Sequence, residues 1–116
     1  MWQIKTTIYK SIPLKKMIRH IIMFKLKDLG SESLKKEKLK ELKKKIDELG
    51  TTISEIEFIE AGINFSPRDV AFDLVINSTF KTNSDLAAYA IHPEHIKLVE
   101  FLKDVKLSSA VVDYEF

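Results

Sequence analysis

A chain of 116 residues with 45% apolar and 31% charged side chains has room for one domain around one hydrophobic core, and its composition is that of a globular protein. Its formal net charge of +2 comes from the first sixteen residues, where Lys5, Lys10, Lys15 and Lys16 stand without an acid; the remainder is slightly acidic, which argues against nucleic acid as a partner. The absence of cysteine rules out a disulfide framework and thiolate chemistry and suits a cytoplasmic location, and no apolar run approaches the roughly 18 residues of a membrane span.

Residues 1–16 mix Trp2, Ile4, Ile8 and Tyr9 with lysines and lack the continuous apolar stretch and cleavage site of a secretory signal. They read as an N-terminal extension, with the domain occupying 17–116. Met17 to Lys27 predicts a strand that sets Ile18, His20, Ile22, Phe24 and Leu26 on one face and Met17, Arg19, Ile21, Met23 and Lys25 on the other. Both faces are apolar at the centre, so both ask for cover.

Asp28 to Ser31 forms a turn, and Ser31 or Ser33 caps the helix after it. Leu34, Leu39, Leu42, Ile46 and Leu49 give that helix its apolar stripe, and Gly50 is expected to end it. The lysines from Lys35 to Lys45 interleave with Glu37, Glu41, Asp47 and Glu48, the pattern of a solvated face. Thr51 to Asn64 predicts a strand, Phe65 to Arg68 a link, and Val70 to Phe80 an alternating central strand. Ser84 is the expected cap of a short helix containing Leu86, Ala87, Tyr89 and Ala90. Pro93 disfavours helical backbone before itself and suits a first helical turn, so that helix stops near Ile91 and another runs from Pro93 to about Asp104. Ser108 to Phe116 closes the chain as a strand.

The order is βαββαβ with a broken second helix. That order predicts an α+β, ferredoxin-like fold: a four-stranded antiparallel sheet with helices on one face. The other face, carrying Ile21, Met23, Ala71 and Val75, is apolar, and a second copy of the same sheet is the economical cover. A homodimer is therefore the expected assembly.

The chemistry concentrates around Tyr89, His92 and His95. Helical rotation places His95 on the side of Leu98, Val99, Leu102 and Val105, while His20 shares its strand face with Ile22 and Phe24, and Ile76 belongs to the inward face of the central strand. These residues converge on one core. An inward imidazole needs a hydrogen-bond partner or a ligand, and two readings answer that need. Either the histidines bond Tyr89, Asp73 or backbone carbonyls and tie the layers together, or Tyr89 and His95 perform proton transfer in a small-molecule pocket. His92, at the helix joint, reads as a cap or as an orienting group. No inward carboxylate completes a metal site, and no phosphate-cradling loop or nucleophile elbow is present, so neither metal nor cofactor is expected.

Several segments together resemble the stress-responsive dimeric α/β-barrel (Dabb) family: Ile18-Arg19-His20-Ile21-Ile22-Met23-Phe24-Lys25, Gly62-Ile63-Asn64, Phe72-Asp73-Leu74, Ala88-Tyr89, His92-Pro93-Glu94-His95 and Val111-Val112-Asp113-Tyr114. The likeness covers about residues 17–116, and its most specific piece is Tyr-x-x-His-Pro-x-His. It implies a homodimer in which two sheets form a barrel. Most of that family have no established activity, whereas plant olivetolic acid cyclase closes a polyketide chain by an aldol reaction. The residues matching its catalytic motif are Tyr89 and His95, with His20 and His92 matching pocket positions. Two classes of function stay open: a pocket protein with cyclase- or lyase-like activity on a hydrophobic carbonyl compound, with His95 as general base and His20, His92, Ile22, Phe24 and Ile76 holding the substrate, or a non-enzymatic dimeric stress or scaffold protein.

Overall fold

The computed structural model describes residues 16–116 and runs β1 (Ile18–Leu26), α1 (Glu32–Thr52), β2 (Phe58–Ile63), β3 (Leu74–Phe80), α2 (Asn83–Ala90), α3 (Pro93–Lys103) and β4 (Lys106–Glu115). All but the last residue of the expected N-terminal extension lies outside the described residues. The strands form one antiparallel sheet in the order β2-β3-β1-β4, the ferredoxin-like arrangement. β1 and β3 are the inner strands, and β1 is apolar at the centre of both its faces.

One sheet face packs against the helices. Phe24 and Leu26 of β1, with Leu74, Ile76 and Phe80 of β3, meet Leu39, Leu42, Ile46 and Leu49 of α1 and Leu98 and Leu102 of α3. Each such side chain stabilises the fold by roughly 1.5–3 kcal/mol relative to exposure. Leu34, the first residue of the expected stripe, stays half exposed. On α1 the interleaved charges pair within the helix, as Lys38 with Glu41 and Lys43 with Asp47. Asp47 also accepts from the Ala61 amide at 2.9 Å, and Lys43 donates to the Ala61 carbonyl at 2.7 Å, which fastens α1 to β2.

Several boundaries depart from expectation for identifiable reasons. α1 continues past Gly50 to Thr52, and Gly50 serves there as a close-approach residue: a Cβ on it would lie 3.0 Å from the Ile59 side chain. The expected strand from Thr51 therefore begins only at Phe58, because Ile53 and Ile56 are buried as plugs between helix and strand. β3 begins at Leu74 and not at Val70, which is exposed. Asp73 is drawn instead into a clamp, accepting from the Leu26 amide and pairing with Lys35, each at 2.8 Å. Ser31 caps α1 as expected, whereas Thr82, not Ser84, caps α2 by accepting from the Asp85 amide. Gly30, at φ 101°, turns the chain from β1 into α1 in a conformation that suits glycine.

Among the described residues, no helix packs on the second sheet face. Arg19, Ile21 and Met23 lie there beside Val75, with Val112 and Tyr114 of β4 exposed. No helix among the described residues is long and apolar enough to cross a membrane.

Candidate functional site

The break at Pro93 builds the site. His92 caps α3, its ring Nδ1 accepting from the Glu94 amide at 3.1 Å, while its own amide donates to the Tyr89 carbonyl. This joint folds the first turn of α3 back over the last turn of α2 and brings His95 onto Tyr89, with ring centroids 4.3 Å apart. His95 Nδ1–H donates to the Ala90 carbonyl at 3.0 Å. A carbonyl only accepts, so that bond selects the tautomer and leaves Nε2 with its lone pair.

Tyr89 is the buried centre of the group. Its ring lies 5.1 Å from Phe80 and 6.2 Å from His20 across the core, and among the described residues its hydroxyl has no hydrogen-bond partner. Burial pushes its phenol up to about 12, so it remains a proton donor at physiological pH. Burial also lowers the pKa of His95 below the ordinary 6.5, opposed by its bond to Ala90 and assisted by His20 and His92. The N-terminal position in α3 acts in the same direction, since the positive end of the helix dipole disfavours an imidazolium.

His20 is held from the opposite wall. Its register partner on β4 is Asp113, and the carboxylate of Asp113 bonds His20 Nδ1. The nitrogen left for a ligand is therefore Nε2. Tyr89, His95 and the His20–Asp113 pair surround a cavity of 340 Å³, whose apolar lining includes Ile22, Phe24, Ile76, Leu98 and Leu102.

Of the residues expected at the site, Tyr89, His95, His20, Ile22, Phe24 and Ile76 come together around this cavity. His92 does not line it: its ring is occupied at the helix joint. Asp73, weighed as a histidine partner, is engaged by Lys35 and the Leu26 amide. Sequence reasoning missed Asp113, Ser109 and Lys106, which β4 contributes to the lining. The alternation of β4 could have set Ser109 and Asp113 on one face, but only the strand register places Asp113 opposite His20. Among the described residues no group of three or more His, Asp or Glu side chains is placed to hold a metal ion.

Comparison with known proteins places this architecture. A protein of Streptomyces coelicolor is 31% identical over 110 residues, covering 86% of this chain and all of that protein. The crystal structure of a dimeric protein of ferredoxin-like fold from Bacteroides fragilis is 37% identical, covers 86% of this chain and 96% of that one, and superposes with a TM-score of 0.79. A hydroxynitrile lyase from Passiflora edulis has the same fold, with a TM-score of 0.70 over 89% of this chain and 95% of that one at 17% identity. The model of the stress-responsive A/B barrel domain matches residues 18–116, so the chain belongs to that family, Dabb.

Proposed function

We propose that residues 17–116 form a homodimer through the open sheet face, and that each protomer binds a small hydrophobic carbonyl compound and performs cyclase- or lyase-like chemistry on it. The supporting observation is the 340 Å³ cavity in which Tyr89 and His95 stand in contact among apolar side chains. Its volume is in the range of small-molecule sites. In this reading Nε2 of neutral His95 removes a proton from the carbon next to a carbonyl. The electron pair left behind moves onto the carbonyl oxygen, where the Tyr89 hydroxyl donates a hydrogen bond to the developing enolate. His20, oriented by Asp113, positions the substrate. The resulting carbon nucleophile can then close onto a second carbonyl within the same molecule, whose π pair moves to its oxygen and takes back the proton held on His95 Nε2, restoring the neutral imidazole. That a hydroxynitrile lyase shares the fold adds support for catalysis on this scaffold, and the lack of cysteine supports a cytoplasmic setting.

One observation favours a non-enzymatic dimer instead: the protein itself already holds one nitrogen of each ring, His20 by Asp113, His92 by the Glu94 amide and His95 by Ala90. Variants separate the two readings. With a substrate found by screening small β-dicarbonyl compounds, His95→Ala and Tyr89→Phe are each expected to lower turnover about a hundredfold or more while the dimer stays folded. Undiminished turnover in both would remove these residues from the chemistry. Loss of thermal stability in both, with no compound bound by the wild type, would favour the structural reading.

A further inference from the structure

The charges on β4 divide the cavity into two ends. Asp113 faces His20 near the end of the strand, and its carboxylate is engaged by that imidazole. Lys106, the one lysine lining the cavity among the described residues, stands at the beginning of β4 opposite Leu26, with Ser109 between it and Asp113. From His20 to Leu26 is six residues of β1, which at about 3.3 Å per residue separates the two ends by roughly 20 Å of strand. Ser109 of β4 aside, the β1 and β3 side chains that line the cavity between them, Ile22, Phe24 and Ile76, are apolar. Lys106 is half-buried, and among the described residues its ammonium has neither an ion pair nor a side-chain hydrogen bond, in contrast to Lys35, Lys38, Lys43, Lys97 and Lys103.

A cation at the rim of an apolar cavity, without an internal counter-ion, gains most from an anion that brings its own apolar body. We propose that the ligand of this cavity is an elongated amphipathic carboxylate, its anionic head on the Lys106 ammonium and its chain directed towards Tyr89 and His95. The charges fix the direction as well as the class: a carboxylate is repelled from the Asp113 end and attracted to the Lys106 end. Ser109 lies beside the head and can donate a hydrogen bond to it. This inference rests on the proposed carbonyl-binding site and narrows it, because the reacting carbonyl must then be remote from the carboxylate.

Octanoate, 1-octanol and octylamine share one chain and differ in the head group. Their binding is measured by calorimetric titration, with the ring signals of Tyr89 and His95 followed by NMR to show entry into the cavity. On the wild type octanoate is expected to bind about tenfold or more tighter than 1-octanol, with octylamine weakest. Lys106→Met, which keeps the apolar stem, should bring octanoate to the affinity of 1-octanol, and Lys106→Arg should retain the preference. Equal affinities of octanoate and 1-octanol on the wild type, a preference for octylamine, or an octanoate preference that survives Lys106→Met would overturn the role of Lys106. In those cases moving Tyr89 and His95 signals would leave the small-molecule cavity standing. Absence of binding by all three probes would overturn both the inference and the reading on which it rests.

Discussion

His95 and His20 are chemically the same side chain in opposite settings. His95 sits at the positive end of a helix with a carbonyl as its partner, whereas His20 sits on a strand with a carboxylate as its partner. The first setting favours a neutral ring, with the pKa lowered chiefly by burial. Because its folded pKa lies below the unfolded value of 6.5, the unfolded chain binds the proton more tightly. The contribution of neutral His95 to stability is thus complete above that value and is lost as pH falls towards the folded pKa. Urea unfolding at about pH 7.5 and about pH 5.5 should show the wild type losing more stability on acidification than His95→Gln, which has no imidazole there to protonate. Equal losses in the two proteins would show that His95 titrates alike in the folded and unfolded chains.

At the level of elements, two short devices hold the site's frame. One is the α2–α3 joint, where His92 and Pro93 turn the chain so that Ala90 and His95 meet. The other is Asp73, which ties the end of β1 to α1 just before β3 begins. Its bond to Asp73 is the main cause raising the pKa of Lys35. Asp73→Ala would leave the Leu26 amide without its acceptor and is expected to cost roughly 1–3 kcal/mol, read as a lower urea midpoint. Glu41→Ala, which removes only an exposed pair with Lys38 on the same helix, should cost within about 0.5 kcal/mol. If the two variants melt alike, the clamp contributes no more than a surface ion pair.

For the whole molecule the decisive feature is the sheet face on which, among the described residues, no helix packs. Ile21, Met23 and Val75 form its apolar centre, and Val112 and Tyr114, 59% and 41% exposed, extend it along β4. Leaving this surface in water forfeits about 25 cal/mol for each Å² that a second sheet would cover. Replacing Met23 and Val75 together with glutamate should yield monomer or insoluble protein, because the two are register partners at the middle of the proposed interface. Sedimentation of the wild type at micromolar concentration should show a dimer. A wild type that sediments only as monomer would remove the homodimer from the proposal.

Hydrophobic period and proline chemistry are local, and for that reason the element order, the ferredoxin-like class, the break between α2 and α3 and the inward faces of β1 and α3 were legible from the residues alone. His20, Tyr89 and His95 could be assigned to one core because each shares a face with apolar neighbours. What a local pattern does not contain is how one strand slides against another, or which backbone comes close to which. Strand register alone set Asp113 opposite His20 and Lys106 at the far end of the cavity. The approach of Ile59 carried α1 through Gly50, and the clamp at Asp73 delayed β3 until Leu74. A side chain's face follows from its own period, but its partner across the sheet follows from the summed packing of both elements, and that sum exists only in the folded chain.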